Sequence, residues 1–135
     1  MTDLTLAQAE HLAKAAIASA RDKALNPMSV TVIDLSGHLK FALREDGAGL
    51  AGVDIALGKA RAALTFGCTS KQIADALAGD PLAGPSVLAA LQGRVILLAG
   101  GVLVTDAAGV AIGAIGAAGD APANDEAIAL AATGG

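Results

Sequence analysis

Lys59 is the residue whose surroundings ask most for chemistry. In the stretch Gly52–Phe66, plotted at about 100° per residue, it falls among Ile55, Ala62 and Phe66. The polar stripe of that helix is Asp54, Gly58, Arg61 and Thr65, on another side. A lysine on an apolar face must extend to water, pair with a carboxylate, or lose its proton. Desolvated, it is a general acid or base. Arg44 offers a guanidinium that holds a carboxylate bidentately, and Asp46 or Asp54 would tune Lys59 or move a proton. Together they describe a small cofactor-independent catabolic enzyme, an isomerase, lyase or hydrolase acting on a carboxylated or carbonyl compound. In that reading Lys59, Asp46 and Asp54 are catalytic and Arg44 is the anion clamp. The structural alternative for Lys59 is an ion pair with Asp34 or Asp46.

His38 carries a second chemistry, as a metal or ligand donor. It shares a strand face with Arg44 but lies six positions away, roughly 20 Å at about 3.3 Å per residue. One small ligand cannot reach both within one subunit. His11 falls on the polar arc of the first helix and reads as solvated. Cys68 has no activator nearby in sequence and reads as a core or surface thiol. GxSxG, HExxH, CxxC and GxxxxGK[ST] are all missing. Gly113 and Gly116 follow a strand but open no helix, so they are no dinucleotide loop. Glycine inside a strand marks close packing or a ligand against the backbone.

The elements that must position these residues alternate in type. Thr5 and Gln8 have capping-box spacing and open a helix running to about Ala24. Asn26-Pro27 breaks it. Ser29–Leu35 and His38–Arg44 read as strands joined at Ser36-Gly37. Asp46-Gly47-Ala48-Gly49 leads into the Gly52–Phe66 helix, which Gly67 ends. Thr69 opens a helix over about Ser70–Ala78. Asp80–Gln92 reads as a loop with a helical turn. Val95–Ala99, Val102–Thr105 and Val110–Ala117 read as three more strands, and Asn124 caps a last helix. Asp125 and Glu126 sit in its first turn, where the dipole favours acids. The order predicts one α+β domain over residues 1–135, with a single five-stranded antiparallel sheet and flanking helices.

Composition bounds the partners. The chain has 135 residues, 54% hydrophobic but 1% aromatic. Its core is therefore Ala, Val, Leu and Ile, and with only Phe41 and Phe66 it has no stacking platform for bases. A net charge of −4 makes nucleic acid and anionic membrane surfaces poor partners. No apolar run long enough to span a membrane occurs. The mean hydropathy of +0.61 implies apolar surface buried between subunits, hence a homo-oligomer. One cysteine excludes an internal disulfide. The N-terminal residues lack a basic and apolar leader, so a cytoplasmic location is expected.

The runs VIDLSGHLKFALREDGAG, VDIALGKARAA, AGGVLVTDAAGVAIGAIGAAG and DEAIA together resemble the GlcG/HbpS-like family. The family pattern falls on Asp34, Gly37, His38, Arg44, Asp46, Gly47, Asp54, Lys59, Gly100, Gly101, Gly109, Gly113, Gly116 and Asp125. The chain departs from it at Glu45, Leu103, Ala117-Ala118 and Arg61. The resemblance implies a profilin-like α+β fold and homo-oligomers. It implies a small-molecule ligand, haem or a related planar compound in some members, with corrinoid or glycolate metabolism in others. No other cofactor is implied. Carried onto this chain, the ligand-binding positions are Arg44, His38, Gly100, Gly101 and Gly116. Haem iron needs an axial donor, for which the chain offers His38 first, then His11, Cys68 or a methionine.

Overall fold

The computed structural model describes residues 3–134. Helix α1 (Leu6–Asp22) is capped by Thr5, whose side chain accepts from the Gln8 N–H while the Gln8 side chain accepts from the Thr5 N–H. Strands β1 (Ser29–Asp34) and β2 (Leu39–Arg44) follow, then α2 (Gly52–Phe66), α3 (Ser70–Leu77) and α4 (Ala83–Ala90). The chain closes with β3 (Gly101–Thr105), β4 (Ala111–Ala118) and α5 (Pro122–Thr133).

The sheet has four strands in the order β2-β1-β4-β3, every neighbour antiparallel. The expected fifth strand, Val95–Ala99, is not one. Its Ile96 N–H donates to Gly58 O at 3.1 Å, so its backbone pairs with α2 instead of a sheet edge. Val95 is buried with Ala62 of α2 and Ile73 of α3. A β-branched apolar run reports a half-buried surface as readily as a strand. Asp80–Gln92, read as a loop with one helical turn, holds a full helix, α4.

Helices α1 and α5 cover one face of the sheet and α2 covers the other. The inner strands β1 and β4 are therefore buried on both faces. Val30 and Val32 of β1 join the α1–α5 side, and Ile33 joins Ala60 and Ala63 of α2. On α1 the fully buried residues are Ala9, Ala13, Ala16 and Ala20. Such small side chains let the helix lie close to the strands, as the near absence of aromatics requires. Close packing then makes each added methyl group costly.

Helix α5 begins one turn earlier than expected. Pro122 occupies its first turn, where a missing N–H goes unmissed, and Ala121 is the N-cap residue. Asn124 does not cap it; its Nδ2 donates to Asp120 Oδ1 at 2.7 Å. No helix among the described residues is long and apolar enough to cross a membrane.

Candidate functional site

Lys59 leaves α2 toward the sheet and ends in a buried polar pair. Its Nζ donates to Asp125 Oδ2 at 2.9 Å and to Ala117 O at 3.0 Å. Both side chains are 2% exposed. The other carboxylate oxygen, Asp125 Oδ1, accepts the Asp120 N–H at 2.9 Å. Burial pushes the Asp125 carboxyl above its ordinary range, while the Lys59 hydrogen bond pulls it back. The expected partners Asp34 and Asp46 are thus replaced by Asp125. Asp125 sits in the first turn of α5, as its sequence position implies, and it faces inward. Asp34 instead holds the β1–β2 turn, its Oδ1 accepting the N–H groups of Ser36 and His38 at 3.0 Å each.

The other acid–base candidates lie elsewhere. Asp54 is exposed in the first turn of α2, where it complements the helix dipole. Arg44 and Asp46 are brought together, both exposed, in a shallow cleft of about 410 Å³ with Arg21, Pro27 and Glu45. Glu45 ties that corner down: its Oε1 accepts the Met28 N–H at 2.9 Å, and its Oε2 pairs with Arg21 Nε at 3.2 Å. The four residues expected to form one site therefore occupy three places.

The candidate glycines serve packing. Gly101 and Gly116 face each other across the β3–β4 ladder. A Cβ on Gly116 would collide with Ala56 O, and one on Gly101 with Lys59 O. A Cβ on Gly100 would sit 2.9 Å from Lys59 Nζ. These positions admit the backbone of α2 and the Lys59 stem to the sheet.

His38 is exposed at the hairpin end, outside the cleft that holds Arg44 and Asp46. His11, by contrast, lines a cleft. The N-terminal half of α1 and the adjoining ends of β3 and β4 border an open cleft of about 400 Å³. The walls include Leu4, Ala7, Leu12, Val104 and Ile112, with the His11 imidazole among them. His11 itself remains exposed, so its ring is free to meet a ligand. Among the described residues the sulfur donors lie against the core. Cys68 is half-buried against the Ala62–Ile73–Val95 cluster, and Met28 is fully buried. Met1 lies outside the described residues. Among those residues no three His, Cys, Asp or Glu side chains gather as a metal cluster.

A family model described as haem degrading protein HbpS-like matches residues 4–133. The chain belongs to the HbpS-like family. It is similar to a double mutant of Streptomyces reticuli HbpS, at 32% identity and a TM-score of 0.86, covering 99% of this chain and 87% of that one. It is similar to the Klebsiella pneumoniae protein ORFY, at 28% identity and a TM-score of 0.88, covering 99% and 91%. A third similar structure is the PduOC complex with haem, at 26% identity and a TM-score of 0.86, covering 98% and 94%. No curated protein matches.

Haem in an HbpS-like chain needs one axial donor and apolar walls for the macrocycle. The His11 cleft supplies both in kind. The sequence points to His38 first because its motif carries the resemblance. His11 ranks behind it there, because a histidine on a polar helix arc gives no sign of the strand ends folded beside it.

Proposed function

We propose that this HbpS-like chain is a small-molecule-binding protein whose ligand is haem or a related planar macrocycle. The reading is supported by one observation above others: His11 is the exposed imidazole set among apolar walls. The haem complex of the similar PduOC structure favours the same ligand class. Bound haem would supply an iron for ligation and redox chemistry. The chain's own part is to offer His11 as axial donor and to keep the macrocycle against Ala7 and Leu12, over the buried Leu4, Val104 and Ile112. Titration with haemin, followed at the Soret band in wild type and His11→Ala, tests it.

The protein acts as a homo-oligomer in this reading. Leu50 and Leu82 are 94% and 73% exposed, and a second copy of the chain is the occupant that the high mean hydropathy favours. Light scattering at micromolar concentration checks this, and a monomer mass would contradict it.

A further inference from the structure

A larger cleft lies on the α2 side of the sheet. It encloses about 580 Å³ between the β1–β2 turn, the C-terminal half of α2 and the segment that follows α4. Arg61 of α2 and Arg94 of the post-α4 segment both line it, and no carboxylate does. Among the described residues neither arginine belongs to an ion pair. That placement is unusual for a chain of net charge −4, in which acids outnumber bases. Both guanidiniums thus line one concavity that offers them no counter-charge of its own. Around them the walls turn apolar through Leu35, Leu64, Leu91 and Val95. The cleft thus has the size of a small-molecule site, and its lining mixes two cationic groups with leucine side chains.

We propose that the Arg61–Arg94 cleft binds a small organic carboxylate with an apolar body. The two guanidiniums hold the carboxylate by charge-assisted, bidentate hydrogen bonds. The leucine side chains cover the rest of the molecule. The site shares no residue with the His11 cleft, so it stands independently of the haem reading.

Benzoate is the probe, with benzyl alcohol as its neutral counterpart and inorganic phosphate as an anion without an apolar body. Calorimetric titration gives the affinities, and the arginine Nε–H resonances report which guanidiniums move. Expected results are benzoate binding at least about tenfold tighter than either control, with both arginine signals shifting. Arg94→Gln, at an exposed position, and Arg61→Gln each weaken benzoate by about tenfold or more, while Lys14→Gln, an exposed cation of α1, leaves it unchanged. The melting temperature of each variant separates lost binding from lost fold, and the exposed Arg94 keeps the test available if Arg61→Gln unfolds. Equal binding of benzoate and benzyl alcohol would overturn the proposal. So would phosphate binding as tightly as benzoate, or benzoate affinity indifferent to Arg94→Gln.

Discussion

Lys59 Nζ lies 2.9 Å from Asp125 Oδ2, both side chains almost wholly buried. The contact joins α2, on one face of the sheet, to α5, on the other. It passes where β4 is ending, since Lys59 also donates to Ala117 O. The lysine on the apolar face of α2 is thereby explained: it ties the two helical layers together.

Breaking that pair leaves an uncompensated buried charge. Lys59→Met should cost about 3–5 kcal/mol of stability. The double variant Lys59→Met with Asp125→Asn, which removes the stranded charge, should recover a large part of it. Urea denaturation of the three chains measures both steps. A single variant as stable as wild type would contradict the role given to the pair.

The pH dependence follows from Asp125. Its carboxyl is raised in the folded protein above the ordinary 3.8, chiefly by burial. A raised folded value means that the folded state binds the proton more tightly than the unfolded one. The stabilisation linked to that proton is present in full below the unfolded value and is lost as pH rises through the folded one. Relative to Asp125→Asn, wild type should therefore lose stability as pH climbs from 3.8 upward. Thermal melts across that window test the sign. A gain over the same window would mean that the Lys59 attraction outweighs desolvation.

The glycines beneath α2 make a separate prediction. Gly116→Ala places a methyl group against Ala56 O, and Gly101→Ala places one against Lys59 O. Neither backbone oxygen can move without shifting α2. Each substitution should cost about 1–3 kcal/mol or more. Gly49→Ala, with nothing within 4 Å of its Cβ, should stay within about 0.5 kcal/mol of wild type. Denaturant midpoints decide it, and tolerance of Gly116→Ala would contradict the packing.

Local signals in the chain are readable where chemistry is local. The Thr5–Gln8 cap, the start of α3 after Thr69, the left-handed Gly67 after α2 and the antiparallel pairing of β1 with β2 all occur as their residues imply, although the loop inside the Asp34–His38 hydrogen bond is three residues and not two. The misplaced Lys59 is also legible, because a cation at an apolar helical position is a local anomaly. Its partner is not. Asp125 is 66 positions away, and an acid in the first turn of a helix already has a sufficient local reason to be there. Val95–Ala99 misleads for a similar reason: apolar, β-branched residues satisfy a helix surface as well as a sheet. The His11 cleft needs the strand ends beside α1, a relation that only the folded chain supplies.

Haem binding at His11 is tested most directly by a haemin titration of wild type, His11→Ala and His38→Ala, read at the Soret band. Wild type and His38→Ala should give a shifted band of the same form and affinity. His11→Ala should give an altered band and an affinity weaker by about tenfold or more, equivalent to about 1.4 kcal/mol. A wild-type protein that leaves the haemin spectrum unchanged, or a His11→Ala variant indistinguishable from wild type, would contradict it.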